Sequence, residues 1–215
     1  MPLYLGSTAL NNFRVGTETP DRIFLGNELV WPSFTEVTQF FGTAGAFTFN
    51  IPPNCRFLDI VVIGGGGGGQ ASLALFNYGA PGAPGSWAGV TLKRGVDIPW
   101  SVTQITGNVG GGGLGGPGPS VVPGFAGADT TATFTGGPTI TGNAGAGGIG
   151  WASSQANSRG KSPGNFTFNG KLYVGGAAVT ANNQPGNPPG GSGSGSAQLS
   201  SGSNGAPGGA WVRAY

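Results

Sequence analysis

The chain has 215 residues, including 47 glycines and 17 prolines, and its nine Lys or Arg and seven Asp or Glu residues give a net charge of +2. The lack of histidine and the single cysteine exclude the usual zinc ligand sets and the Ser-His or Cys-His pairs of covalent catalysis. So few cations exclude the clustered positive charge that nucleic-acid binding requires, whereas 5 Trp, 4 Tyr and 13 Phe favour an ordered β protein over a disordered chain.

Residues 1–33 contain a weak internal repeat. Residues 3–10 and 23–30 each have the pattern of a strand, a Gly-X turn and a second strand. Glycine accepts the positive φ that two-residue hairpin turns need, so each copy predicts a β-hairpin. Two short hairpins bury too little apolar surface to be stable alone. We therefore expect residues 1–33 to dock on the rest of the chain, on another copy, or on a larger assembly.

The next three predicted strands lie between residues 34 and 63. Residues 35–41 alternate, and residues 46–51 alternate again with three large apolar side chains on one face. Residues 57–63 are a continuous apolar, β-branched run, which is typical of a buried strand. Six consecutive glycines follow at once, at residues 64–69.

The remaining predicted strands are short and widely spaced. They are expected at residues 87–92, 99–105 and 132–134, and again at residues 210–215, where the chain returns to the core. The pattern predicts an all-β fold: a small antiparallel β-sandwich with a glycine-rich elaboration, for which polyglycine II is one alternative, preceded by short N-terminal hairpins. The predicted domains are residues 1–33 and residues 34–215.

The glycine-rich stretches between these strands leave two alternatives open. They are either disordered loops or extended helices with three residues per turn, packed side by side and hydrogen-bonded laterally. Ordering glycine is entropically costly, so the packed alternative needs many hydrogen bonds between helices. Residues 79–85 have a collagen-like period, but two triplets are too few for a triple helix.

No motif in the chain predicts catalysis or a cofactor. Residues 64–69 match G-x-G-x-x-G only because any six glycines do, and no acid follows at the spacing of a dinucleotide site. Asp59, Asp97 and Asp129 are far apart in sequence, so we expect solvated or turn-capping acids. We expect no enzyme activity, no cofactor and no metal.

The candidate binding residues lie in segments between the glycine stretches, where apical loops are expected. Exposed aromatic side chains there would suit sugar faces or protein hot spots, and amide and guanidinium groups would add polar contacts. The candidate contact residues are Phe76, Asn77, Tyr78, Trp151, Gln155, Asn157 and Arg159. The alternative, in which these loops pack only on their own neighbours, stays open.

The order of these features resembles a known family. An alternating strand, Pro52-Pro53, residues 57–69 and the terminal residues 206–215 together resemble the glycine-rich domain of bacteriophage tail proteins, over about residues 36–215. Residues 23–32 are similar to the opening of minor tail proteins from phages of actinobacteria. The resemblance implies a component of the tail tip or fibre in the virion. Such components are often trimeric, and some relatives are host-receptor adhesins with polyglycine II helices.

On this basis, we expect a virion tail protein that contacts the host envelope without catalysis and binds other tail proteins through residues 1–33. One alternative is a purely structural tail subunit, and another is a bacterial glycine-rich surface protein. We see no export signal, which disfavours the surface protein. A polysaccharide-cleaving enzyme is the weakest alternative. No apolar run is long enough to span a membrane.

Overall fold

The computed structural model describes residues 3–5, 8–10, 17, 20, 22–32, 34–73 and 77–215. These residues form strands and extended segments, with a short 3-10 helix at Ala156–Ser158. The strands, in chain order, are β1 (Leu3–Leu5), β2 (Thr8–Leu10), β3 (Ile23–Leu25), β4 (Glu28–Trp31), β5 (Val37–Phe41), β6 (Gly45–Asn50), β7 (Phe57–Ile63), β8 (Tyr78–Gly79), β9 (Trp87–Lys93), β10 (Gln104–Val109), β11 (Thr130–Thr133), β12 (Ile140–Gly142), β13 (Trp151–Ala152), β14 (Phe166–Phe168), β15 (Lys171–Tyr173) and β16 (Gly209–Ala214). The prediction of an all-β fold is confirmed.

Two four-stranded antiparallel sheets pack face to face as a β-sandwich. One sheet has the strand order β5-β16-β7-β9, and the other has the order β12-β11-β10-β6. The C-terminal strand β16 pairs with both β5 and β7, so the end of the chain lies inside the first sheet. The predicted return of residues 210–215 to the core is therefore confirmed.

Alternating apolar side chains fill the space between the two sheets. Strand β6 contributes Phe47 and Phe49 to this core, as its alternation predicts. Every residue of β7 after Phe57 is buried, because the sandwich core covers one face and later parts of the chain cover the other. A strand covered on both faces has a continuous apolar sequence, which explains the composition of residues 57–63.

The strand predicted at residues 99–105 is wrong in its bounds, and Arg94 provides the physical reason. The buried Arg94 guanidinium donates hydrogen bonds of 2.7–3.1 Å to three carbonyl oxygens, those of Pro99, Trp100 and Val102. A guanidinium has five N–H donors, so one side chain can bind several carbonyl oxygens of a curved segment. The Pro99 carbonyl oxygen also accepts from the N–H of Val102, so these residues form a turn, and β10 begins later, at Gln104.

Both predicted N-terminal hairpins form, with β1 paired to β2 and β3 paired to β4. The turn of the first hairpin, residues 6–7, lies outside the described residues. The second hairpin contacts the body of the molecule at Trp100, whose ring meets Phe24 edge-to-face with centroids 5.2 Å apart. The Arg22 guanidinium lies 5.7 Å from the centre of the same ring. The division into residues 1–33 and 34–215 stays a prediction.

Residues 64–72 form the centre of a bundle of extended segments. Each backbone N–H from Gly64 to Ser72 donates to a neighbouring segment. The acceptors rotate among three segments, residues 80–86, 122–128 and 200–206, so that every third donor returns to the same segment. A period of three is that of a helix with three residues per turn. The described residues therefore adopt the packed alternative, not the disordered one.

A closed ring of six segments surrounds this centre. Three ring segments accept from the central N–H groups, and the other three, residues 110–116, 142–150 and 190–196, donate to central carbonyl oxygens. Hydrogen bonds also join each ring segment to the next, so the ring closes on itself. Residues 158–164, 174–181 and 183–189 lie outside the ring, on the side of residues 190–196. We call these described segments together the glycine bundle.

The bundle is possible only because its contact positions carry no side chain. A Cβ on any of the central glycines, residues 64–69, would overlap the backbone of a ring segment. In the collagen-like stretch, a Cβ on Gly82 or Gly85 would overlap a carbonyl oxygen of the central segment. The period of residues 79–85 thus places glycine towards the centre and leaves Ala and Pro outside. Lateral backbone hydrogen bonds offset the entropy that glycine loses on ordering.

The hairpin of β14 and β15 covers the outer face of the first sheet. Phe166 stacks on Trp87 with ring centroids 5.6 Å apart, and Tyr173 meets Trp211 edge-to-face at 5.6 Å. The Trp87 indole N–H donates to the carbonyl oxygen of Gly164, 3.2 Å away, which fixes the start of the hairpin. These aromatic contacts bury the outward side of the sheet beneath the hairpin.

The expectation that the acids are solvated or cap turns is wrong for Asp59. Its side chain is fully buried under the hairpin and accepts from Thr91 at 2.6 Å and from Arg213 at 3.0 Å. Asn169, in the hairpin turn, donates to both carboxylate oxygens of Asp59 at 3.1 and 3.3 Å. A buried carboxylate requires such partners because it loses its water on folding. The two acids expected to cap turns do so: Asp97 accepts from the N–H of Lys93, and Asp129 accepts from that of Ala144.

Arg213 links this buried carboxylate to an exposed one. Its second terminal nitrogen donates to Glu36 at 2.7 Å, and Lys171 lies 3.0 Å from the same carboxylate. These two cations, Arg213 first, hold the pKa of Glu36 below its ordinary value. These ion pairs connect β16 and the β14–β15 hairpin to Glu36, the residue just before β5.

Candidate functional site

The end of the glycine bundle that lies away from the sandwich carries the candidate site. The central segment leaves the sandwich at Ile63 and ends at Ser72, level with residues 80, 122 and 200. Residue 73, residues 77–78, residues 117–121 and residues 197–199 connect or flank bundle segments and therefore lie at this end, as does the stretch after Gly150. We call the surface made by these connections the apical face.

Several large apolar side chains of the apical face are open to solvent. Leu73, Val121, Trp151 and Leu199 are 46–55% exposed. Each comes from a different connection, so the bundle gathers them from distant parts of the sequence. A cluster of exposed apolar side chains on a rigid support is typical of an interaction surface. The sequence analysis singled out only Trp151 among them.

The structure brings two of the predicted contact segments together. Strand β8 pairs with β13, placing Trp151 opposite Gly79 and Ala152 opposite Tyr78. Asn77 is exposed beside this ladder, and Tyr78 is half-buried. Phe76, the remaining candidate in this segment, lies outside the described residues.

The other predicted contact residues follow directly on the chain. Gln155 and Asn157 are exposed at the 3-10 helix after β13, and Arg159 is half-buried. Asn157 donates to the Ser153 hydroxyl at 2.7 Å, which holds this short loop together. Arg159 and Asn157 line a cavity of about 390 Å³ on the flank of the bundle, below the apical face.

Lys161 also lines this cavity, and the sequence analysis missed it. The signal was present in the sequence, because Arg159 and Lys161 are the cations found between Arg94 and Lys171. Two cations isolated in a long stretch whose other charged residues are Asp97 and Asp129 indicate a local role. The sequence does not show that Lys161 borders the same cavity as Arg159, because the cavity forms only where this segment packs against residues 178–179.

Buried polar side chains hold the apical connections in place. Gln70 ends the run of central glycines, and its side-chain oxygen accepts from the N–H of Gly150 at 2.6 Å. The buried Ser158 hydroxyl donates to the carbonyl oxygen of Gly79 at 2.7 Å. These bonds join the segments that carry Tyr78, Trp151 and Arg159, so the site is pre-organised rather than loose.

A second exposed surface runs along the opposite flank of the bundle. Leu114, Phe125 and Ile149 are 53–76% exposed on three of the ring segments to which no described outer segment is bonded. Between Ser101 and Ser158 the sequence contains a single charged residue, Asp129, so this surface is uncharged as well as apolar. Below, we call it the bare flank.

Comparison with known proteins gives the family. A family model described as a glycine-rich domain matches residues 42–215. The chain belongs to the glycine-rich domain family. A Gene 32 protein of Mycobacterium phage D29 is 42% identical to this glycine-rich domain protein over 205 residues, which cover 90% of each chain. A Gene 32 protein of Mycobacterium phage L5 is 46% identical over 167 residues, covering 73% of this chain and 71% of the phage protein.

The phage relatives and the family match support one part of the resemblance: this is a phage-type protein with a glycine-rich domain. In the part of the chain that the structure describes, no helical stretch has the length and apolar character that a bilayer crossing requires.

Proposed function

We propose that this glycine-rich domain protein is a minor tail protein of a phage virion, placed at the tail tip, and that its apical face adheres to the host cell surface. The observation that carries the proposal is the exposed apolar cluster on that face. Leu73, Val121, Trp151 and Leu199 come from four separate connections and are presented together. Side chains fixed on a rigid support lose little conformational entropy on binding.

The proposed mechanism is binding without catalysis. Residues 1–33 attach the chain to other tail proteins, and three copies in one assembly would multiply a weak single contact into strong avidity. The bundle also allows the contact residues to vary, because its lateral bonds are made by backbone groups. Changes of sequence in the apical connections therefore leave the scaffold intact.

The bare flank favours a second candidate, a purely structural tail subunit with no host contact. An uncharged apolar surface on Leu114, Phe125 and Ile149 suits packing against a neighbouring protein. In that case the apical face would be covered in the virion and would not meet the cell.

The test is adhesion of the labelled full chain to mycobacterial cells, the hosts named for the relatives' phages. We expect saturable adhesion by the wild-type protein and a loss of at least about 10-fold for Trp151→Ala, as for an exposed aromatic hot spot. The matched control is Val96→Ala, which trims an exposed apolar side chain in the turn after β9, at the sandwich end. Equal loss in both variants, or no adhesion by the wild type, would favour the structural subunit.

A further inference from the structure

The cavity below the apical face is lined by two cations that have no acidic partner among the described residues. Arg159 and Lys161 lie two residues apart on an outer segment of the glycine bundle, and both line the cavity of about 390 Å³. The sequence contains no Asp or Glu after Asp129. Lys171 and Arg213 pair with Glu36, whereas no ion pair to Arg159 or Lys161 is formed within the described residues.

Arg159 also has an unused hydrogen-bond donor. Its Nε atom is buried and has no partner within the described residues. A buried N–H without an acceptor is rare in native structures.

The walls of the cavity are held rigidly by the bundle. The N–H groups of Gly160 and Lys161 donate to the hydroxyls of Ser194 and Ser192, which are buried on the neighbouring ring segment. On the other side, the N–H of Val179 donates to the carbonyl oxygen of Gly160 at 2.9 Å. Val179 is itself buried and provides an apolar wall. The cations therefore stand on a fixed frame beside an apolar surface.

We infer that this cavity binds an acidic saccharide, a sugar unit that carries a carboxylate or a phosphate group. A guanidinium matches either group with two parallel hydrogen bonds, and the Lys161 ammonium adds a point charge. The Val179 side suits the apolar face of a sugar ring, and the exposed Asn157 is placed to contact its hydroxyls. The inference rests on the proposed function, because an envelope glycan is the source of such a sugar.

The experiment is a titration of the full chain, followed by NMR chemical shifts, with four probes: glucuronic acid, glucose 6-phosphate, glucose and inorganic phosphate. We expect the two acidic sugars to bind at the cavity at least about 10-fold more tightly than glucose, and more weakly as salt is added. Phosphate alone should bind more weakly than glucose 6-phosphate. The inference is overturned if glucose binds as tightly as the acidic sugars, or if phosphate binds as tightly as glucose 6-phosphate.

Two variants locate the site. Arg159→Gln and Lys161→Gln should each lower the affinity for the acidic sugars about 10-fold or more while the unfolding midpoint stays unchanged. The control Arg56→Gln removes an exposed cation just before β7 and should leave the affinity unchanged. An equal loss in the control would mean that net charge, not this cavity, attracts the sugars.

The adhesion assay separates failure of this inference from failure of the proposed function. If the wild type adheres to cells but no acidic sugar binds, this cavity is not a saccharide site, and the proposed function stands. If acidic sugars bind but the wild type does not adhere to any cell tested, the saccharide site stands and the tail-tip role fails. Adhesion that survives the double variant Arg159→Gln with Lys161→Gln overturns the cavity as the host contact.

Discussion

Gly67 and Gly111 have opposite surroundings within one bundle. Gly67 lies in the central segment, where a Cβ would overlap the backbone carbonyl of Ala146. Gly111 lies on the ring, where a Cβ would meet only the Cβ of Ala44 at 4.0 Å, an ordinary contact. Neither glycine has a positive φ, so the two positions differ in space and not in backbone conformation. Only Gly67 is therefore required by lack of space.

We predict that Gly67→Ala lowers the free energy of unfolding by about 3 kcal/mol or more, because backbone atoms on a neighbouring segment cannot move aside as a side chain can. Gly111→Ala should leave stability unchanged or raise it by up to about 1 kcal/mol, because alanine reduces the freedom of the unfolded chain. Denaturant unfolding of both variants measures this difference. Equal effects at the two positions would mean that the central contact is looser than described.

At the scale of the element, the hairpin of β14 and β15 depends on one buried carboxylate. Arg213 is shared by Asp59, which is fully buried, and by Glu36, whose side chain is 37% exposed. Removing a buried partner leaves charged and polar donors without an acceptor, whereas removing an exposed partner leaves water to replace it. The same arginine therefore allows a direct comparison of the two kinds of ion pair.

We predict that Asp59→Ala destabilises the protein by about 3–5 kcal/mol and that Glu36→Gln does so by less than about 1 kcal/mol. Asp59→Ala should also speed amide exchange in the hairpin, because Asn169 loses its acceptor. Equilibrium unfolding gives the free energies, and hydrogen exchange measured by mass spectrometry reports on the hairpin. A large effect of Glu36→Gln with a small effect of Asp59→Ala would contradict this account.

The elements also show which features the sequence could predict. Strands with alternation or a continuous apolar run, such as residues 46–51 and 57–63, were predicted within about one residue, because local patterning determines which face is buried. The ladder of β8 and β13, which brings Tyr78 beside Trp151, could not be predicted. Its partners are joined through lateral bonds of the bundle, and all-glycine segments carry no pattern that specifies which neighbour they bind.

For the whole molecule, the sandwich determines the register of the bundle. The central segment continues directly from β7, and the last ring segment continues directly into β16, which pairs with β7. Both segments therefore leave the sandwich at fixed positions. Glycine segments have no side chains that would specify a register. The register of the bundle is therefore fixed by the strands to which its segments are joined.

This arrangement predicts a pattern of hydrogen exchange that neither a sheet nor a loop would give. All N–H groups from Gly64 to Ser72 are bonded, so they should exchange about as slowly as those of β7. In the ring segment 142–150, Gly145 and Gly148 donate to the centre, whereas Ala146 and Ile149 donate to no described residue. Between residues 145 and 149, protection should therefore recur with a period of three residues. At the ends of the segment, the N–H groups of Ala144 and Gly150 are also bonded, to the side chains of Asp129 and Gln70.

Amide exchange resolved by NMR tests this pattern, and Gly67→Ala is the matched perturbation. If centre and ring are one cooperative unit, the variant should speed exchange in all six ring segments together, because each is bonded to the centre and to two neighbours. Rapid exchange of residues 64–72 in the wild type, with β7 still protected, would mean that the bundle opens independently of the sandwich. The apical face would then lack a rigid support, since Trp151, Leu199 and Leu73 reach the same surface only through the closed ring.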